Sequence, residues 1–274
     1  MPGSAALSLP ATEVEAAEVR AWADMYAAMP DDYRARFRPE LLRVQGVTLT
    51  RCRAIPFSHF NGVLDLGVAV PATEGALDAV LAAYAEADIG RFSILHNPHA
   101  RPPELLHWLR ARGLAPRGGW ERIARAGGEL PPPPPGLDNA ELVTRATGAE
   151  WADFLVARYG LPTGPWLLGL VDRSGWTHAV LRREGSIVAA RSMYASDGWA
   201  WLGVEAPVPG LMAPSWDDDH ALAYTLVREG VRAGVERFAA DIEAPHPERA
   251  TPAYAQWDAL GFTVLYTRTH YVPS

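Results

Sequence analysis

The sequence predicts an α/β protein made of two copies of one strand and helix unit. Three observations lead there. The run Leu66-Gly67-Val68 is followed by a helix-like stretch, Arg91-Phe92, Trp108 to Arg112 and Gly113-Leu114. The same order returns as Leu202-Gly203-Val204, Arg237-Phe238, Trp257 to Leu260 and Gly261-Phe262, and self-similarity on this scale marks a duplicated supersecondary unit. Within each copy, strand-like alternation and helix-like periodicity follow one another. Five successive prolines, Pro131 to Pro135, lie between the copies and read as a stiff, extended spacer. The expected organisation is therefore a domain over residues 1–127, a linker at 128–139 and a domain over 140–274. A chain of 274 residues gives each half enough length for a core of its own.

Residues 1–10 carry no period and are expected to form a loose tail. From Thr12, a plausible N-cap, the spacing of Val14, Ala17, Val19, Trp22, Met25 and Tyr26 fits a helix face, and Met29-Pro30-Asp31-Asp32 ends it and opens a shorter helix through Phe37. Alternation predicts strands over Leu42 to Cys52 and Phe60 to Val70. Pro71-Ala72-Thr73-Glu74 starts a helix capped by Thr73, with Leu77, Val80, Leu81 and Tyr84 as its buried stripe. Arg91 to Leu95 reads as a strand, Arg101-Pro102-Pro103-Glu104 as a helix start and Trp120 to Ala124 as a strand. In the second copy Leu142 to Thr144 is a strand and Ala149 to Tyr159 a helix. Trp176 to Arg182, Ser186 to Tyr194 and Trp199 to Ala206 form an antiparallel meander turned at Arg183-Glu184-Gly185 and Ser196-Asp197-Gly198. A helix from His220 to Ala233, a strand from Glu236 to Glu243, a helix from Thr251 to Leu260 and a strand from Thr263 to Val272 complete the unit.

Composition excludes several classes. The net charge of -7 and scattered arginines argue against a sequence-independent grip on nucleic acid. The absence of a charged leader and of a long apolar span gives the expectation of a cytoplasmic protein with no membrane partner. A single thiol, Cys52, rules out an internal disulfide framework and reads as a small apolar strand residue. No lysine is present, so neither a Schiff base nor an acyl-lysine on the protein itself is available. His96-Asn97-Pro98-His99 and His107 lack a third ligand at a diagnostic spacing, and no metal is expected.

The meander ending in Trp199-Ala-Trp-Leu-Gly-Val204, the long helix after it, the strand through Asp241 and Thr251-Pro-Ala-Tyr-Ala-Gln-Trp-Asp-Ala-Leu-Gly-Phe262 together resemble a GCN5-related N-acetyltransferase domain. The first half, with Phe60-Asn61-Gly-Val-Leu-Asp-Leu-Gly-Val68 and Pro102-Pro-Glu-Leu-Leu-His-Trp-Leu-Arg-Ala-Arg-Gly113, resembles the companion domain of tandem acetyltransferase-like proteins, where Asn61 is expected to tie a backbone turn. The resemblance implies a pseudo-symmetric tandem, each domain a mixed, mostly antiparallel sheet flanked by helices. It also implies transfer of an acyl group from acetyl-coenzyme A or another acyl-coenzyme A to a small-molecule amine, with splayed central strands, here around Leu202 and Val204, holding the cofactor arm. The family's basic, glycine-rich phosphate cradle falls on Pro207 to His220, which has no Arg-x-x-Gly-x-Gly pattern and carries Asp217, Asp218 and Asp219 instead.

Candidate site residues cluster around that connection. Glu205 stands at a strand end, as a base facing the cleft with Trp201 and Gly203 or as a solvent-facing carboxylate. Ser215 and Asp217 to Asp219 fit helix capping, or, with His220, recognition of a cationic substrate. The family's asparagine position falls at Ala250 or Thr251 and its leaving-group tyrosine at Trp257, so Tyr254, one turn earlier, is the alternative acid. Trp201 and Trp257, among the tryptophans at 166, 176, 199, 201, 216 and 257, are core fillers or the wall of an aromatic pocket. Three functions fit: a small-molecule acyltransferase, a fold that has lost coenzyme A and performs cyclisation or elimination, and a non-catalytic binder of a cationic metabolite.

Overall fold

The computed structural model describes residues 9–206, 216–244 and 253–274. The expected tail at 1–8, the connection from Pro207 to the candidate cap Ser215, positions Ala250 and Thr251, and the side chain of Trp216 lie outside the described residues. Among those described, no helix is long and apolar enough to cross a membrane. In chain order the elements are α1 (Ala11–Ala27), α2 (Asp31–Phe37), β1 (Glu40–Val44), β2 (Val47–Arg51), β3 (Gly62–Val63), α3 (Glu74–Glu86), β4 (Ser93–His96), α4 (Leu105–Ala111) and β5 (Leu114–Ala126). There follow β6 (Ala140–Leu142), α5 (Gly148–Tyr159), α6 (Gly164–Leu168), β7 (Trp176–Arg183), β8 (Ser186–Ser196), β9 (Trp199–Ala206), α7 (Trp216–Arg232), β10 (Arg237–Glu243), α8 (Ala253–Ala259) and β11 (Thr263–Pro273). The class is α/β with a mixed sheet, as expected.

The chain divides into two compact units, the first comprising Leu9–Glu121 and Tyr266–Ser274, the second Arg122–Leu265. The boundary thus falls inside β5 rather than in the proline run at 128–139, and the end of β11 belongs with the first unit rather than with residues 140–265. The prolines are part of the second unit because a polyproline helix repeats every three residues. Pro131 and Pro134 turn inward, Pro134 is buried, and the Tyr224 hydroxyl donates to the Pro131 carbonyl at 3.3 Å.

In the first unit the strand order is β1-β2-β3-β4-β11-β5. The single strand expected over Leu42 to Cys52 is a hairpin. Gln45 and Gly46, at φ 46° and 84°, make a tight turn whose twist suits antiparallel pairing of β1 with β2. The strand expected over Phe60 to Val70 shortens to Gly62–Val63, and Leu66-Gly67-Val68 is a buried turn. Gly67 has φ 79°, and a Cβ there would lie 2.8 Å from the Arg101 carbonyl oxygen, so only glycine fits. Thr73 caps α3 as expected, its hydroxyl accepting from the Ala76 amide at 3.0 Å, whereas α1 begins after Pro10 and leaves Thr12 in its first turn. Asn61 ties the backbone as expected: its Oδ1 accepts from the Cys52 amide at 2.7 Å and its Nδ2 donates to the Ile55 carbonyl at 2.9 Å. Cys52 itself is buried just past the end of β2.

The second unit has the order β11-β5-β10-β9-β8-β7-β6. The meander β7-β8-β9 is antiparallel and turns where the sequence predicts, with Glu184-Gly185 and Asp197-Gly198 all at positive φ. α7 covers one face, its Ala221, Leu222, Leu226 and Val227 packing with Ala189, Met193, Ala200, Leu202 and Phe238. On the other face Trp151 of α5 stacks on His178 at 4.1 Å between ring centres. Short α6 carries no periodic signal of its own.

Candidate functional site

The site begins with a backbone irregularity. In the β8–β9 register Ala190 faces Ala206 and Ser192 faces Gly203, so Arg191 alone stands opposite two residues, Val204 and Glu205. This is a β-bulge, and Val204 absorbs it at φ 51°, a conformation a β-branched residue rarely adopts. The extra residue resets the alternation of side chains. Ala200 and Leu202 face α7, and without the bulge Glu205 would point the opposite way, with Trp201 and Gly203. With it, Glu205 joins the face of Arg191, which lies in register with Ala189 and Met193. The expectation that Glu205 shares a face with Trp201 and Gly203 is therefore overturned. The indole of Trp201 folds back over Gly203 on the other face, where a Cβ would lie 2.1 Å from the ring.

Beside the bulge, two parallel strands part. The pairing of β9 with β10 runs from Trp199↔Arg237 to Leu202↔Ala240, while the strands continue to Ala206 and Glu243. Glu205 and Asp241 stand on these two continuing segments. Between and around them lies a buried charge cluster. Arg191, 2% exposed, donates from Nε and Nη2 to Asp219 Oδ1 at 2.9 and 2.7 Å, and from Nη1 to Glu205 Oε2 at 3.5 Å. Its guanidinium sits 5.2 Å from the Trp257 ring centre. Asp241 pairs with the fully buried Arg122 at 3.3 Å. The Tyr159 hydroxyl, at the end of α5, donates to the Glu205 backbone carbonyl.

Among the described residues, three carboxylates of this cluster stand against two guanidiniums, an excess of negative charge. Burial pushes the Glu205 carboxyl above the ordinary range; Arg191 opposes this, and Asp219 and Asp241 reinforce it. Burial weakens Arg191, but Asp219 and Glu205 more than restore its charge. Burial and the neighbouring Glu205 charge keep the Tyr159 phenol protonated, against Arg191. A carboxyl held in this way keeps its proton to higher pH than an ordinary glutamate does.

The acidic run disperses. Asp217 is exposed, Asp218 pairs with Arg183 at 2.5 Å and Asp219 serves Arg191. The three do not converge on one ligand, because successive residues of a helix point in different directions. His220 is half-buried, and burial lowers its pKa against the pull of Asp219 and Asp217. Trp257 is buried beneath Arg191 as a platform, while Tyr254 packs half-buried against the core of the unit. Leu202 ends the paired run with its side chain in the core, and Val204 is the bulge. Among the described residues, no group of three or more histidine, cysteine or carboxylate side chains could hold a metal ion. Sequence patterns did not single out Arg191, Arg122 or Tyr159. The signal for Arg191 was available: it interrupts the inward series Ile187, Ala189, Met193 with a charge.

No protein-family model matches the sequence and no curated protein matches it. Solved structures do. A GCN5-related N-acetyltransferase from Kribbella flavida superposes over 97% of this chain and 96% of its own, with a TM-score of 0.61 at 14% identity. The fold is that of the GCN5-related N-acetyltransferases. A tandem protein of this fold from the clavulanic acid biosynthesis pathway matches over 82% of this chain and 77% of its own, with a TM-score of 0.50 at 16% identity. Identities this low speak to the fold, and the acetyltransferase fold hosts more than one chemistry.

Proposed function

We propose that the second unit is an acyltransferase that moves an acyl group from an acyl-coenzyme A to a small-molecule amine. The observation that carries this is Glu205, turned by the bulge toward Arg191 and Asp219 where β9 and β10 part, with its proton affinity raised by burial. Beyond Leu202↔Ala240 no pairing of β9 with β10 is seen among the described residues; Gly203–Ala206 and Asp241–Glu243 suit an extended thioester arm, and Arg183, held at the first turn of α7 by Asp218, adds a cation at that end. Coenzyme A supplies the acyl group. Glu205 takes the proton of the substrate ammonium so that its lone pair is free to attack, and Tyr254 is the donor we assign to the leaving thiolate. The excess negative charge of the cluster favours a cationic amine over nucleic acid or an anionic surface as partner, in a cytoplasmic setting.

We further infer that the units are a pseudo-symmetric tandem. β3-α3-β4-α4-β5 and β9-α7-β10-α8-β11 run in the same order, and each opens with a parallel pair. A second reading, a fold that has lost coenzyme A and performs cyclisation or elimination or only binds a cationic metabolite, is favoured by one observation. The connection from Pro207 to His220 has no glycine-rich basic cradle. Titration calorimetry with acetyl-coenzyme A and a thiol-release assay across a panel of amines separate the two. Heat and release are expected, with Glu205→Gln lowering the rate by about 10²- to 10⁴-fold at unchanged thermal stability. Silence in calorimetry, or full activity of Glu205→Gln, overturns the first reading.

A further inference from the structure

The bulge places Glu205 beside Arg191, yet Arg191 does not serve Glu205 first. A guanidinium offers five N–H groups in a rigid fork, and here one edge of the fork, Nε and Nη2, is closed on Asp219 Oδ1 at 2.9 and 2.7 Å. Glu205 receives the remaining Nη1 at 3.5 Å, too long for a strong charge-assisted bond. With Asp219 in place the group is held there, buried and with its centre 5.2 Å from the Trp257 ring centre. We propose that Asp219 is a positioning residue for Glu205. By occupying the bidentate edge of Arg191 it denies that edge to Glu205 and keeps the Glu205 carboxyl able to accept a proton.

Among the described residues, the other charged and titratable groups beside Glu205 are Asp241 and Tyr159. Asp241 on β10 is engaged by Arg122 of β5, and Tyr159 of α5 binds the backbone carbonyl rather than the carboxyl. None of them competes for Arg191 through a short bond among the contacts described. The first turn of α7, where the acidic run Asp217 to Asp219 lies, is thereby coupled to the base through a single side chain. The inference rests on the reading of Glu205 as the base for its purpose, but not for its test.

The test follows the Glu205 carboxyl directly, by NMR titration of protein carrying ¹³C-labelled glutamate, with the resonance assigned by its loss in Glu205→Gln. In the unaltered protein the midpoint is expected above the ordinary glutamate range. In Asp219→Ala, which removes the Oδ1 acceptor of both bonds, it is expected to fall by about one pH unit or more, because a negative charge is lost from beside Glu205 and the Nε and Nη2 edge of Arg191 is freed for it. Against an Arg191→Met background the same Asp219→Ala change should move the midpoint by only about a third as much, through the loss of direct repulsion alone. Equal shifts in the two backgrounds, or no shift in either, overturn the proposal. A midpoint in the unaltered protein at or below the ordinary range overturns it whether or not the variants fold. Because the titration needs neither coenzyme A nor turnover, failure of the acyltransferase reading leaves this result unaffected, and the converse also holds.

Discussion

His178 makes the second unit sensitive to acid. The imidazole is 3% exposed, with Nδ1 2.8 Å from the Ser192 hydroxyl and Nε2 3.1 Å from the Leu170 carbonyl oxygen. The rings of Trp151 and Trp176 lie 4.1 and 5.8 Å away between centres. Burial lowers its pKa from 6.5 to about 4, with the Leu170 carbonyl resisting. The unfolded imidazole takes its proton near 6.5 and the folded one only near 4, so between these values the unfolded chain binds more protons. Stability from this group is intact at neutral pH and is lost as pH falls from 6.5 toward 4. At about 1.4 kcal/mol per pH unit, the step from pH 7 to pH 5 removes about 2 kcal/mol. Urea unfolding followed by tryptophan emission reads mainly this unit, since Trp151, Trp166, Trp176, Trp199, Trp201, Trp216 and Trp257 are seven of the ten tryptophans. His178→Gln keeps a donor for the Leu170 carbonyl and does not titrate. Its stability is expected to fall by about 2 kcal/mol less than that of the unaltered protein between pH 7 and pH 5. Parallel losses in the two proteins would refute the assignment of the acid sensitivity to His178.

Three further outcomes follow from packing. Gly203→Ala places a methyl inside the Trp201 ring contact and is expected to cost about 1–3 kcal/mol, read as a lowered unfolding midpoint in urea; a neutral result means the indole does not lie over Gly203. Asn61→Ala removes the bonds to Cys52 and Ile55 from a fully buried position and is expected to cost about 2–4 kcal/mol, with amide exchange accelerating first around Cys52 to Phe57. Val204→Gly relieves a left-handed β-branched residue, so stability should hold or rise despite the lost side chain; a loss above about 1 kcal/mol argues against strain at the bulge.

The parts of the fold legible in the sequence are those with local causes. The meander β7-β8-β9 was readable because its three β-rich runs are separated by the short polar breaks Glu184-Gly185 and Asp197-Gly198, each ending in glycine. α3 was readable through Thr73 and its stripe. The hairpin at Gln45-Gly46 was missed because glutamine is an uncommon first turn residue, and the alternation runs on through it as if the strand were single. The division of β5 and β11 between the units was invisible, since strand pairing at long sequence separation leaves no local pattern. At the site, Glu205 was found from its place at a strand end, but its direction was inferred from uninterrupted alternation. A bulge at a valine gives no warning in the sequence, and it reverses the face of every residue after it.

That reversal also distinguishes Leu202-Gly203-Val204 from the similar run Leu66-Gly67-Val68. Aligning Leu66-Gly67-Val68 with Leu202-Gly203-Val204 sets Ala69 where the second copy has Glu205. In the first copy the triplet is a turn locked to the segment before α4. The Arg101 amide donates to the Gly67 carbonyl at 2.8 Å, and the Arg101 carbonyl accepts from Ala72 at 2.7 Å. Ala69 brings no titratable group to this spot. Among the described residues, the bulge at Val204, the buried Arg191 and the Asp219 carboxylate of α7 come together in the second unit.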